Sequence, residues 1–255
     1  MKFRLDEMRG IKSGEIPEMR LMIKELKERK RPLHSIKESL NDRINIIAEL
    51  KHSSPSAGVL AGNSGDRDTI QGYIEGGASG ISVLTEKNYF GGSYPLLQEV
   101  CLSCDRPVLC KDFVYFEEQV EAAYLCGADM VLLISRVLDV KLMEKLYATV
   151  KSFGMEPLVE IHEKNEIDAI SSLNPELVLV NMRNLETLEI NFQTGMETLN
   201  ALPASVVAIS ASGINTQDDI ARIKNGTGTG NFLIGSSLMK SKDPAAMIKG
   251  LKNVY

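Results

Sequence analysis

Ile44-Asn45-Ile46-Ile47-Ala48-Glu49-Leu50-Lys51 is an apolar run that ends in charge. Its Ile- and Leu-rich body, with few polar interruptions, is what a parallel strand buried on both faces requires. Working outward, the same pattern returns at Gly80–Leu84, Val108–Cys110, Met130–Ile134, Pro157–Ile161, Leu177–Val180, Val206–Ile209 and Asn231–Ile234. Between these runs lie amphipathic, helix-like segments: Thr69–Glu75, Tyr94–Cys104, Glu117–Cys126, Val140–Phe153, Lys164–Ser171, Gly195–Leu202, Gln217–Asn225 and Pro244–Lys252. Eight strand signals alternating with eight helix signals predict an α/β chain folded as a (β/α)8 TIM barrel. A doubly wound open sheet is the alternative, but no Gly-rich dinucleotide fingerprint follows the first strand. Gly76-Gly77-Ala78 and Gly127-Ala128 read as turns that close a helix and lead into a strand.

Residues 1–43 read as an N-terminal helical extension of one domain spanning 1–255. Leu21, Ile23, Leu26, Ile36 and Leu40 recur at near-helical spacing; Pro32 breaks the run, and Ser35 is placed to cap a second short helix. No linker, charge run or low-complexity segment divides the chain. With 44% hydrophobic and 25% charged residues the composition is that of an ordinary globular protein. A formal charge of -5 argues against nucleic acid as a partner. No apolar run is long enough to span a bilayer, and the charged start lacks a signal-peptide core, so the expected location is cytoplasmic. Cys101 and Cys104 have C-x-x-C spacing, but with no second pair and no nearby His they read as an inert pair on a helix face, and no metal site is expected.

In such a barrel the chemistry sits where strands end. Polar residues at those ends are Glu49 and Lys51, then Ser53-Ser54-Pro55-Ser56; Lys111-Asp112; Glu160 and His162; Asn181 and Arg183; Ser210 and Ser212; and Ser236-Ser237. Period two puts Glu49 and Lys51 on one face, and likewise Asn181 and Arg183. One cavity can thus gather two carboxylates, two lysines, an arginine and an amide. Ser212-Gly213 and Gly235-Ser236 both stand between a strand and a helical segment, where small residues let backbone N–H groups approach a phosphate. The ligand class expected is a small phosphorylated molecule.

These motifs resemble those of the indole-3-glycerol phosphate synthases. The resemblance is carried by Ile46–Lys51 with Ser53–Ser56, by Val83–Glu86 with Tyr89–Ser93, by Pro107–Phe113, by Gly154–Ile161, by Arg183–Asn191 and by Phe232–Met239. It implies a carboxy-lyase of tryptophan biosynthesis that closes the indole ring of 1-(2-carboxyphenylamino)-1-deoxyribulose 5-phosphate, releasing CO₂ and water without cofactor or metal. It further implies Lys111 as the general acid of ring closure, Glu160 as the carboxylate of the dehydration, and Lys51 near the phosphate and the substrate carboxylate, with an acid role in dehydration. Glu49 and Asn181 then position the lysines and substrate hydroxyls. Arg183 and Ser54 lie near the anthranilate carboxylate, and Phe90, Phe113 and Leu132 wall the ring. Ser212, Gly213, Gly235 and Ser236, with Lys51, hold the phosphate. Relatives fused to neighbouring enzymes make association with other tryptophan-pathway enzymes an expectation, whereas a role for His162 is not implied and it reads as a solvated loop residue.

One position departs from the resemblance. Ser210-Ala211-Ser212-Gly213-Ile214 has Ala211 where the family usually carries a glutamate that binds substrate and holds the lysines. Impaired or rewired catalysis follows as the main expectation. The alternatives are a catalytically silent phosphate-ligand-binding barrel and another sugar-phosphate barrel enzyme such as phosphoribosylanthranilate isomerase, the latter disfavoured by Lys111-Asp112-Phe113.

Overall fold

The computed structural model describes residues 4–41, 43–54, 58–59 and 65–254, with backbone alone at 54 and 59. Eight parallel strands close on themselves: β1 Asn45–Leu50, β2 Gly80–Leu84, β3 Val108–Lys111, β4 Met130–Ile134, β5 Glu156–Ile161, β6 Leu177–Asn181, β7 Val207–Ala211 and β8 Asn231–Ile234. Each strand pairs with its chain neighbours, and β8 returns to β1, which makes a (β/α)8 TIM barrel. The helices are α1 Met8–Leu26, α2 Ile36–Ser39, α3 Asp66–Glu75, α4 Lys87–Phe90, α5 Tyr94–Ser103, α6 Glu117–Cys126, α7 Val140–Ser152, α8 Ile167–Ile170, α9 Phe192–Ala201, α10 Gln217–Thr227, α11 Ser236–Lys240 and α12 Pro244–Lys252. None is long and apolar enough among the described residues to cross a membrane.

Register decides which side chains meet inside. Glu49 pairs with Ser82, Leu84 with Lys111, Ile134 with Glu160, and Asn181 with Ala211. Side chains at one level of a parallel pair point to the same face, so these strand ends turn inward together. Two residues earlier on the same faces stand Ile47, Leu109, Leu158, Leu179 and Ile209, all fully buried. They fill the barrel as a packed core beneath the mouth. Several strands run past their apolar stretch: β3 continues through Lys111, β6 through Asn181 and β7 through Ala211. The ladder therefore carries polar residues into the cavity on rigid backbone.

The N-terminal extension runs down the outside and plugs the bottom. Lys27 has φ 61, so α1 ends at Leu26 rather than at Pro32. Beyond it the Arg29 guanidinium donates to the carbonyls of Arg31 and Ala128 and to Asp129 Oδ1, at 2.8, 2.5 and 2.6 Å. Asp129 is fully enclosed and also accepts the backbone N–H groups of His34 and Val108. Ser35 caps α2 by accepting Glu38 N–H and donates to Glu156 at the start of β5. Ile36 is completely buried, and a Cβ on Gly80 would lie 2.9 Å from its Cδ1, so Gly80 is the residue that makes room for this plug.

Gly77 and Gly127 close their helices with φ 82 and 102. Lys164–Ser171 is not one helix but a 3-10 turn, the four-residue α8 and a second 3-10 turn. Cys101 on α5 and Cys104 just past its end are free and buried, and burial pushes both thiols up and disfavours the thiolate.

Candidate active site

Glu49 is the hub of the barrel mouth. It is 3% exposed; one carboxylate oxygen accepts a hydrogen bond from Lys51 Nζ at 2.7 Å, and the other lies at ion-pair distance, 3.1 Å, from Lys111 Nζ. Burial alone would push this carboxyl up; Lys111 and Lys51 outweigh that and hold it at about 2. Burial likewise works against charge on Lys111, and Glu49 and then Glu160 overcome it, so its pKa is raised and the ammonium persists at neutral pH. Gly235 follows β8 directly above this hub. A Cβ there would sit 2.4 Å from Glu49 Oε1, so only glycine lets the carboxylate keep its place.

Glu160 anchors a second network across the mouth. It is 1% exposed and accepts a hydrogen bond from Asn181 Nδ2 at 3.1 Å. Asn181 in turn accepts the Arg183 backbone N–H at 3.1 Å, which fixes its amide. His162 Nε2 lies 3.2 Å from Glu160 Oε1, at ion-pair distance but out of line for a hydrogen bond. Desolvation raises Glu160, but His162, then Lys111 and Asn181, bring it below the usual carboxylate range. At neutral pH the cavity therefore holds a protonated Lys111 and an ionised Glu160.

The walls are apolar. Phe90, Phe113, Leu132, Ile134 and Leu188 line a cavity of about 1130 Å³ counted to its open mouth. Phe90 is placed by α4, a four-residue helix that exists because Glu86 caps it. The fully buried Glu86 carboxylate accepts the N–H groups of Asn88, Tyr89 and Phe90 at 3.0, 2.7 and 3.1 Å. Phe113 is placed by Asp112, which accepts its N–H at 2.8 Å and is held by Thr85 Oγ1 at 2.8 Å. Asp112 also takes Lys12 Nζ from α1 at 2.8 Å, so the extension reaches the residue beside Lys111. Lys12 is 1% exposed and is shared with Glu15.

At the ends of β7 and β8 the backbone is unusual. Ser212 and Gly213 have φ 71 and 79, successive left-handed residues that only glycine takes without strain. Gly235 precedes α11, and Ser212, Gly213, Gly235 and Ser236 line the same cavity. Ser237, which sequence reading gave no role, joins them and donates to the Ile214 carbonyl at 3.1 Å.

The structure brings together Glu49, Lys51, Phe90, Lys111, Phe113, Leu132, Glu160, Asn181, Arg183, Ala211, Ser212, Gly213, Gly235 and Ser236 on one cavity. The Ser54 side chain and Pro55-Ser56 lie outside the described residues. Ala211 is 3% exposed, level with Asn181 and Leu233, and its small side chain lines the cavity. Arg183 donates to the Leu188 carbonyl at 2.7 Å, across a loop in which Leu188 takes φ 62. His162 is corrected: it is 4% exposed, not solvated. Glu166, returning through the 3-10 turn after β5, lies 3.9 Å from its Nδ1, and Arg136 from the 3-10 turn after β4 holds Glu166. Glu86 and Lys12 are the positioning residues that sequence reading missed. Glu86 carried a legible signal, an acidic residue directly before a possible helix start, whereas Lys12 looked like any cation on a helix face.

Comparison with known proteins gives the family. The family model described as "Indole-3-glycerol phosphate synthase" matches residues 7–251. An indole-3-glycerol phosphate synthase of Shouchella clausii is 37% identical over 243 residues, covering 94% of this chain and 93% of the relative. That of Albidiferax ferrireducens is 39% identical over 206 residues, covering 81% and 78%. Among solved structures, the 3-hexulose-6-phosphate synthase of Salmonella typhimurium superposes with a TM-score of 0.67 at 12% identity, covering 83% of this chain and 98% of that one. The thiamine phosphate pyrophosphorylase of Pyrococcus furiosus superposes with a TM-score of 0.61 at 13% identity, covering 84% and 96%. Those two likenesses speak for the barrel alone. The family match instead spans the extension that plugs the barrel, the Glu49–lysine hub and the β7–β8 loops, and the chain belongs to the indole-3-glycerol phosphate synthase family.

Proposed function

We propose that the chain catalyses the reaction of that family, a carboxy-lyase step of tryptophan biosynthesis. The substrate is 1-(2-carboxyphenylamino)-1-deoxyribulose 5-phosphate, and the products are indole-3-glycerol phosphate, CO₂ and water. The observation that carries the reading is that Lys111, ion-paired with Glu49, and Glu160, held by Asn181, line one apolar-walled cavity. The reaction needs both: an acid where the ribulose carbonyl becomes a hydroxyl, and a base where a proton leaves during dehydration.

In this reading the ring carbon bearing the carboxylate attacks the ribulose carbonyl while Lys111 delivers a proton to its oxygen. Loss of CO₂ then restores the aromatic ring, favoured by the desolvating walls of Phe90, Phe113 and Leu132. Glu160 accepts the proton lost in dehydration, and Lys51 protonates the departing hydroxide. Glu49 and Asn181 hold these groups in place. Arg183, with Ser54, receives the anthranilate carboxylate. Ser212, Gly213, Gly235 and Ser236 offer backbone N–H groups to the phosphate beside Lys51. We also propose that residues 1–43 and the barrel act as one domain, on the support of the Lys12–Asp112 and Arg29–Asp129 pairs.

Ala211 favours a second reading, a silent phosphate-ligand-binding barrel. It leaves Lys51, Lys111 and Arg183 facing only Glu49 and Glu160 among the ionised groups that carry the proposed chemistry. One experiment separates the two. Indole fluorescence is followed as the purified chain meets the substrate, beside Lys111→Ala and Ala211→Glu. Turnover that falls by about 10³-fold or more in Lys111→Ala and rises in Ala211→Glu supports a synthase with a weakened site. Product binding with no turnover in either the wild type or Ala211→Glu sinks the synthase reading.

A further inference from the structure

His162 stands just behind the cavity wall. Glu160 lines the cavity and His162 does not, yet the two side chains are 3% exposed or less and 3.2 Å apart. On the far side of the ring, Nδ1 lies 3.9 Å from Glu166 Oε2. Neither ring nitrogen has a hydrogen-bond partner among the described residues, and both are buried. A neutral imidazole gains nothing from such a place: it would leave two polar atoms unsatisfied between two carboxylates. A charged ring suits it, one positive charge between two negative ones.

Glu166 is itself firmly held. It accepts Arg136 Nε at 2.9 Å, the backbone N–H groups of His162 and Glu163 at 3.2 and 3.1 Å, and the Ser135 hydroxyl. Arg136 also bonds Glu163 at 2.6 Å. The groups facing the ring are thus Glu160 on β5, Glu166 on the following turn with Arg136 and Ser135 behind it, and Lys111 on β3 beyond Glu160. Glu160 Oε2 is buried and has no hydrogen-bond partner among the described residues, while Oε1 takes Asn181 and faces His162.

We propose that His162 is a positioning residue for Glu160: its charged ring, braced by Glu166, holds Glu160 Oε1 at the wall and keeps Oε2 ready to receive a proton from the cavity. This rests on the reading of Glu160 as the proton acceptor of the reaction. Burial works against the charged ring, but the two glutamates outweigh it and hold His162 up at about 9, so the brace is in place throughout the neutral range.

Two measurements test it on the full chain. The first is the pH dependence of kcat for the wild type and His162→Gln, read by product fluorescence, with circular dichroism to show the variant is folded. The midpoint of the acid limb is expected to rise by about 1 pH unit when the charge is removed, with kcat at pH 7 lowered and KM changed by less than about twofold. A folded variant whose acid limb does not move overturns the proposal for His162 alone. The second is the NMR titration of the His162 ring in the wild type and in Glu160→Gln, which does not depend on His162→Gln folding. Its midpoint is expected to fall by about 1 pH unit or more in Glu160→Gln; an unchanged midpoint refutes the coupling. If that midpoint falls while Glu160→Gln keeps full turnover, the assignment of Glu160 fails, and His162's part in turnover fails with it.

Discussion

Glu49→Gln tests the hub directly. The substitution keeps the shape of the side chain and removes the one charge that two lysines share. In the folded chain the Glu49 carboxyl sits at about 2 against an ordinary 4.5. Its folded-state value is depressed, so its contribution to stability is fully present above about pH 4.5 and is lost as the pH falls toward 2. At about 1.4 kcal/mol per pH unit the whole contribution is about 3 kcal/mol, of which about 2 kcal/mol is lost between pH 6 and pH 3. The glutamine variant has no such group. Urea unfolding from pH 6 to pH 3, followed by circular dichroism, should therefore show the wild type losing about 2 kcal/mol more than Glu49→Gln. The same change removes the main group that keeps Lys111 charged. The alkaline limb of kcat should accordingly move to lower pH by about 1 unit. Parallel stability curves with an unmoved alkaline limb would refute the reasoning, because the two lysines would then not be governed by Glu49.

Two further outcomes follow from the supports of the site. Lys12→Met leaves the Asp112 carboxylate enclosed with only Thr85 and a backbone N–H, so it should destabilise the chain by about 3 kcal/mol in urea unfolding at pH 7; a change below about 0.5 kcal/mol would show that the extension does not brace the end of β3. Gly235→Ala drives a methyl group to 2.4 Å from Glu49 Oε1; kcat should drop by about 10-fold or more, because misplacing a charged active-site group by about an ångström is enough for that, whereas full turnover would mean the loop shifts at no cost.

The alternation of apolar runs with amphipathic segments carried the barrel, because eight buried parallel strands leave few other arrangements. The mouth was legible for the same reason: once a strand is placed, a polar residue at its end has one place to point. What escaped detection was made by contacts distant in sequence or by elements too short for periodicity. α4 and α11 span four and five residues, less than two helical turns, and α4 forms because the buried Glu86 carboxylate collects three N–H groups. Pro32 looked like the end of the first helix, but Lys27 ends it, in a left-handed turn that feeds Arg29 into the Asp129 pocket. His162 looked solvated because polar and charged residues surround it in sequence, and nothing local announces that Glu166, held by Arg136, turns back to it. Lys12 is the same case on a helix: a cation among cations, buried only because Asp112 waits at the end of β3.

The arrangement of the two networks explains how acid and base can share one cavity. Lys111 and Lys51 belong to Glu49 on the β1 side, while Glu160 belongs to Asn181 and His162 on the β5–β6 side. Were Lys111 paired only with Glu160, the proposed acid and base would neutralise each other, and substrate would have to break that pair before either could act. Each has a counter-charge of its own besides the other, so each keeps its charge. Burial alone would neutralise both; the counter-charges outweigh it and push the two apart, Lys111 upward and Glu160 downward. Ala211 sits at the level of both Asn181 and Leu233, on the strand that stands two strands from β5 and two from β1. A carboxylate restored there by Ala211→Glu would face Glu160 as a like charge as well as Lys111 and Lys51 as opposite ones, so its benefit depends on drawing a lysine or Arg183 toward it. The acid limb of kcat in Ala211→Glu reads that balance. A limb that stays in place while kcat rises means the new carboxylate serves the cations, and a limb that moves to higher pH means it has disturbed Glu160.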